Sequence, residues 1–126
     1  MGYTGKALET ILTNNSDIFD GVTVISHEWY TEEDTENLPR IELINVETDV
    51  IGVKTGNTGQ AWETWEIEVF SATADHAKEL SDAVVTALDD FTGTEKEVTF
   101  KVCTLRNRQT DNETKSIILE FKMLTQ

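Results

Sequence analysis

The chain has 126 residues, with 24 acidic side chains against 10 basic ones and a formal net charge of −14. This length fits one compact domain, and the negative charge argues against unaided binding to nucleic-acid phosphates or to an anionic membrane surface. Cys103 is the only cysteine, which excludes a secreted scaffold held by intrachain disulfides and favours a reduced, cytoplasmic setting. No stretch approaches the roughly 18 uninterrupted apolar residues that a membrane span requires.

The N-terminal third predicts a helix, a short strand and an acidic loop. The helix covers Lys6 to Asn14, because Ala7, Leu8, Ile11 and Leu12 recur at helical spacing. A strand containing Val22 and Val24 follows a turn. The loop after it carries acidic side chains without a base among them, at Glu32, Glu33, Asp34 and Glu36. Because the alternating ligands and central glycine of a calcium loop are missing, a solvated loop is the better interpretation.

Pro39 precedes a second strand, Arg40 to Glu47, and proline is suited to a strand entrance because it has no amide hydrogen for the ladder. Residues 48–60 then contain three glycines and Asn57. This composition predicts a long, mobile hairpin connection or a protruding, flexible arm.

The clearest pattern in the chain lies between Trp62 and Phe91. In the strand Trp62–Phe70, the side chains of Trp65, Ile67 and Val69 point to one face, whereas those of Trp62, Glu66 and Glu68 point to the other. An amphipathic helix follows over residues 74–91, with Thr73 as its predicted cap and Gly93 as its predicted left-handed exit. A half-buried strand is therefore followed by a helix that can cover it.

Two further strands are predicted over 98–103 and 117–123, joined by a polar turn at 106–112. The order of elements predicts an α+β fold, with an antiparallel or mixed sheet of about five strands and two helices packed on one face. The other face of the sheet is then left to solvent or to a partner. Trp62 is predicted on that second face, either for a partner or to cover the edge of its own sheet.

No catalytic constellation is visible in the sequence. The two histidines, His27 and His76, lack a spacing that would bring a second ligand or a nucleophile beside them, and His76 is interpreted as a solvated surface residue. Cys103 lies in an apolar strand and is interpreted as a packed side chain. We predict no enzyme activity, no cofactor and no metal. A metal-dependent enzyme using His27 is the least favoured alternative.

The chain resembles the tail terminator proteins of tailed bacteriophages, which are also called tail completion or tail-to-head joining proteins. The resemblance lies in the order of elements along nearly the whole chain. Its clearest segments, besides the N-terminal helix, are Asn37–Leu43, Trp65–Ser71 and Ala74–Val84.

This resemblance implies a structural virion protein that caps the tail tube, ends tail polymerisation and joins the head, as a ring commonly of six subunits. It implies tail-tube and head-completion or neck proteins as partners, and DNA that passes through without specific binding. An acidic wall suits such a passage, because repulsion keeps DNA from sticking. The residues predicted to meet other subunits or partners are Arg40, Lys54, Trp62, Glu66, Glu68, Arg106 and Arg108.

The charge of −14 also raises an alternative function, an acidic DNA mimic that occupies the basic cleft of a nucleic-acid-binding protein. Such a mimic needs a dense array of carboxylates on one continuous surface. In the sequence the acids are instead spread through alternating strands and one loop. The structural virion protein is therefore the leading hypothesis.

Overall fold

The computed structural model describes residues 3–15, 22–26, 38–53, 56–113 and 115–126. Within these ranges the chain forms two α-helices and one six-stranded sheet. The elements are α1 (Thr4–Thr13), β1 (Thr23–Ser26), β2 (Arg40–Val53), β3 (Gly56–Phe70), α2 (Ala74–Leu88), β4 (Gly93–Glu95), β5 (Val98–Asp111) and β6 (Ser116–Thr125). The predicted α+β class is confirmed, with the three-residue β4 as the strand that the sequence pattern did not reveal.

The strand order across the sheet is β1-β2-β3-β6-β5-β4, with β1 parallel to β2 and every other neighbouring pair antiparallel. Both helices pack on one face, called here the helix face, as predicted. Its buried side chains come from both helices and from the sheet, including Leu8, Leu80, Trp65, Leu119 and Phe121. Each such side chain contributes about 1.5–3 kcal/mol by leaving water. The opposite side of the sheet is called the open face.

The start of α2 follows the predicted capping chemistry. The backbone N–H of His76 donates to Thr73 Oγ1 at 3.2 Å, which satisfies one of the free amide groups of the first turn. The predicted end of this helix is wrong, because α2 stops at Leu88 and the chain turns at Asp90, where φ is 64°. Gly93 lies further on, inside β4, with φ at 147°.

A β-bulge at Val46 divides β2 into two halves. Before the bulge Asn45 pairs with Trp65, and after it Glu47 pairs with Thr64, so one extra residue is inserted in β2. The insertion reverses which side chains point to which face. Glu47 and Asp49 therefore point to the open face, opposite Thr64 and Trp62.

Residues 48–60, predicted as a loose connection, contain the ends of two paired strands. The ladder between β2 and β3 continues to the pair Val53 and Gly56, whereas β3 pairs with β6 only as far as Ala61. The two strands therefore project past the rest of the sheet by about 15 Å, at roughly 3.3 Å per residue. These residues form a β-hairpin, and its role as a flexible arm stays a prediction.

The polar turn predicted at 106–112 is wrong over most of its length. β5 continues through these residues to Asp111, with bulges at Lys101 and Arg106, and only the residues after Asp111 form the connection to β6. The segment carries no apolar alternation because its residues 106–110 are exposed. Pairing with β6 satisfies its backbone without a buried side-chain face.

Candidate assembly interface

The open face presents an aromatic and cationic depression around Trp62. Trp62 pairs with Leu124 across the β3–β6 ladder and lies on the open face, where the sequence predicted it. Lys122 Nζ lies 5.6 Å from the centroid of the indole ring, within the range of a cation–π interaction. Val102, Thr104 and Arg106 complete a depression of about 260 Å³. The half-buried Trp62 is therefore covered in part by its own subunit and in part accessible to a partner.

A band of carboxylates crosses the open face next to this depression. Glu42 of β2 lies directly opposite Glu68 of β3, and Glu66 of β3 lies directly opposite Glu120 of β6. Like charges facing each other across a ladder destabilise a sheet. Glu68 is held by the Ser116 hydroxyl, which donates to it. The two predicted interface residues Glu66 and Glu68 therefore belong to one acidic band spanning three strands.

Arg40, predicted as an interface residue, is engaged within its own subunit. Its Nε donates to Glu42 Oε2 at 3.1 Å, and its guanidinium carbon lies 3.9 Å from the centre of the Phe70 ring. Both side chains of the Arg40–Glu42 pair are largely covered. Arg40 therefore offsets part of the negative charge of the acidic band within its own subunit.

Arg108 is also engaged internally, on the helix face. Its guanidinium donates to Asp82 Oδ1 at 2.8 Å and to Ser81 Oγ at 2.7 Å, which ties β5 to α2. Arg106, two residues earlier, is exposed and lines the depression on the open face. The predicted interface residue Lys54, the acidic loop Glu32, Glu33, Asp34 and Glu36, and His27 lie outside the described residues.

Two long strand edges are left without a strand partner among the described residues. On one side of the sheet, β1 pairs with β2 only from Arg40 to Leu43. On the other side, β4 pairs with β5 only from Val98 to Phe100, and the end of α2 adds hydrogen bonds at Cys103 and Leu105. Residues 45–50 and 106–110 are exposed along these two edges. Unpaired edges of this kind are templates for pairing with another chain.

A buried glutamate organises the junction between α1 and three strands, and the sequence interpretation missed it. Glu63 is 7% exposed, and its carboxylate accepts hydrogen bonds from four side chains: Thr4, Asn45, Trp65 and Thr125. One signal was available, since strict alternation puts Glu63 on the same face as Trp65 and Ile67. Its partners, however, come from distant parts of the chain. The network explains how a carboxylate can be buried without a cation beside it.

A serine–histidine contact lies where β3 leads into α2. Ser71 Oγ is 2.6 Å from His76 Nδ1. Since His76 is half-buried and hydrogen-bonded, its interpretation as a solvated surface residue is wrong. Ser71 also lines a groove of about 680 Å³. The contact spans the first turn of α2, and we interpret it as fixing the start of this helix together with Thr73.

Cys103, the single cysteine of the sequence, is buried. Burial, and then the charges of Asp89 and Asp90, raise the pKa of the Cys103 thiol to about 12, so this thiol is protonated at neutral pH. The described residues contain no group of three or more histidine, cysteine, aspartate or glutamate side chains that could hold a metal ion. None of the described helices is long and apolar enough to cross a membrane.

No protein-family model and no curated protein matches the chain. A solved virion structure does. The match is to a chain in the structure described as "Virion of native gene transfer agent (GTA) particle", with a TM-score of 0.66 and 16% sequence identity. It covers 97% of this chain and 93% of the other, so the likeness extends over nearly the full length of both chains. At this identity the match shows a shared fold.

Proposed function

We propose that this protein is a structural component of a tailed-bacteriophage virion, a tail terminator that forms a ring on the end of the tail tube. The observation that carries the proposal is the likeness to a virion chain over nearly the full length of both chains. The resemblance of the sequence to tail terminators supports the same function independently. In this role the ring ends tail polymerisation and provides the surface to which the head joins.

The distribution of charge supports a passage for DNA. The acidic band repeats in every subunit of a ring, and the carboxylates that Arg40 does not offset, those of Glu66, Glu68 and Glu120, repel phosphates. DNA would pass such a wall without binding to it. The same charge makes assembly sensitive to salt, because the repulsion between subunits must be screened or offset by basic groups.

The proposed partners are other copies of the chain, the tail-tube protein and a head-completion or neck protein. Among the predicted interface residues, Trp62 and Arg106 are the best placed for a partner, because they line the same depression on the open face. Arg40 and Arg108 support the subunit that presents this surface, through Glu42 and Asp82. Assembly takes place in the host cytoplasm, and the product is part of the virion.

The DNA-mimic alternative is less well supported by the arrangement of the carboxylates. A mimic needs exposed charges that follow the spacing of DNA phosphates on one surface. Here Glu42 is 7% exposed and paired with Arg40, and the aromatic and basic groups Trp62 and Lys122 lie on the same face. An open face of this mixed composition is better suited to protein contacts.

The proposal can be tested with the purified protein and the tail-tube protein of the same virus. Negative-stain imaging should show rings with a central hole, and adding the protein during tube polymerisation should give shorter tubes with the protein at one end. A protein that stays monomeric at high concentration and leaves tube length unchanged would contradict the proposal. If the protein inhibits a nuclease by competing with DNA for it, that result would instead support the mimic.

A further inference from the structure

We propose that the ring is built by edge-to-edge sheet pairing, in which the outer edge of β2 in one copy joins the outer edge of β5 in the next. The inference deepens the proposed function and rests on its ring. A neighbouring copy of this chain occupies each of the two edges.

Both edges have backbone groups that no other described strand pairs. Beyond Leu43 no described strand lies on the outer side of β2, and the exposed run from Asn45 to Val50 includes Val46 and Val50, which are 52% and 60% exposed. Beyond Leu105 no described strand lies on the outer side of β5, whose residues 106–110 are exposed. Exposed valines on an unprotected edge are unfavourable in a monomer, because such an edge recruits other strands.

The charges on the two free edges favour pairing between β2 and β5. The β2 edge, residues 44–53, carries Glu47 and Asp49 and no base, so pairing of β2 with β2 brings acids together. The free part of β5, from residue 106 onward, carries Arg106, whereas the neighbouring Arg108 is engaged with Asp82 on the helix face. Pairing of β2 with β5 therefore joins opposite charges, and repulsion between acids disfavours the pairing of β2 with itself.

The charged side chains also lie on the same side of the sheet. The bulge at Val46 turns Glu47 and Asp49 to the open face, and Arg106 lines the open-face depression beside Trp62. In a sheet continued from one copy into the next, these acids and this base meet on one face. The bulges of β5, at Lys101 and Arg106, leave Asn107 to Thr110 as its regular segment for pairing.

The strand directions agree with a closed ring. Three successive antiparallel pairs make β5 antiparallel to β2 within one copy. A rotation about an axis roughly along the strands keeps each strand's direction, so β5 of one copy meets β2 of the next in the antiparallel sense. The contact uses different surfaces on its two sides, and repeating such a contact closes into a ring when the rotation allows it.

Two charge-reversed variants test the pairing. The first changes Glu47 and Asp49 to Lys, and the second changes Arg106 to Glu. Each variant alone brings like charges together at every contact, and we expect the concentration for half-assembly to rise about tenfold or more. An equimolar mixture should restore assembly, because each variant's altered edge is complementary to the other's. Native mass spectrometry should then show rings with equal numbers of the two variants.

Matched controls on α2 carry single reversals away from both edges, Glu79→Lys and Lys78→Glu. They should assemble like the unaltered protein, and circular dichroism should show that all four variants are folded. If the unaltered protein forms rings and the edge variants assemble equally well, or their mixture does not recover, the edge pairing is wrong and the ring remains. If the unaltered protein forms no rings even with tail-tube protein, the proposed function fails as well.

Discussion

The carboxylate of Glu63 accepts a hydrogen bond from the hydroxyl of Thr4 at 2.7 Å, across 59 positions of the sequence. This contact joins the first turn of α1 to the middle of β3. The Thr125 hydroxyl donates to the same oxygen, Glu63 Oε2, so the beginning and the end of the described chain meet at one atom. Asn45 and Trp65 donate to the other oxygen at 3.3 and 3.2 Å.

We expect Glu63→Ala to lower the free energy of unfolding by about 2–4 kcal/mol, because it leaves buried donors without their acceptor. Glu63→Gln should cost less, since its amide oxygen keeps part of the network. Chemical denaturation measures both. Glu79→Gln, on the exposed side of α2, is the control and should change stability by less than about 0.5 kcal/mol. Equal midpoints for Glu63→Ala and the unaltered protein would contradict the structural role of this network.

Removing one charge from the facing pair Glu66 and Glu120 should raise the free energy of unfolding, whereas the Glu63 variants lower it. Glu120→Gln removes a like-charge contact across the β3–β6 ladder and should raise the free energy of unfolding by about 0.2–1 kcal/mol. Because salt screens the repulsion, the gain should be larger at low ionic strength. Glu79→Gln, on the exposed side of α2, is the matched control. A gain that is the same at low and high salt would argue against an electrostatic origin.

Cys103 should be inert in the folded protein. The thiol is buried and its pKa is raised to about 12, so at pH 8 a thiol reagent that attacks the thiolate should label it far more slowly than the denatured chain. The unfolded chain ionises near its ordinary pKa of 9.0 while the folded chain does not. Stability from this group is therefore complete below about pH 9 and falls as the pH rises toward 12. Labelling of native protein at the denatured rate would contradict the burial.

Arg108 and Arg106 should behave differently although they lie two residues apart. Arg108→Ala removes the contacts with Asp82 and Ser81 and should lower stability by about 0.2–1 kcal/mol, the usual range for a partly exposed ion pair. Ring assembly should be unchanged. Arg106→Ala should weaken assembly with little change in stability. Thermal unfolding and native mass spectrometry on both variants separate the two effects, and a reversed pattern would place the interface on the helix face.

Sequence patterns identified the parts of this fold in which one side of an element is buried. Trp65, Ile67 and Val69 alternate because the helix face excludes water on one side of β3, and Leu80, Val84 and Leu88 recur at helical spacing for the same reason. The outer parts of β2 and β5 gave no such signal. Their residues are exposed, so glycine and polar side chains are tolerated in paired strands and were taken for loops.

The predicted interface residues show a second limit on what the sequence alone can predict. Sequence alone selects a charged side chain but not its partner, and Arg40 and Arg108 meet Glu42 and Asp82 of their own subunit. Those contacts depend on strand register and on the packing of α2 over the sheet. The separation between the two arginines on β5 arises from the bulge at Arg106, which the order of residues does not reveal.

The bulge at Val46 gives β2 one residue more than its pairing with β3 requires. Deleting Val46 would leave Asn45 opposite Trp65 and Glu47 opposite Thr64, so both acids would stay on the open face and the strand would lose only its local bend. Insertions or deletions of two residues in the hairpin would also preserve the two faces of the strand and change only its reach.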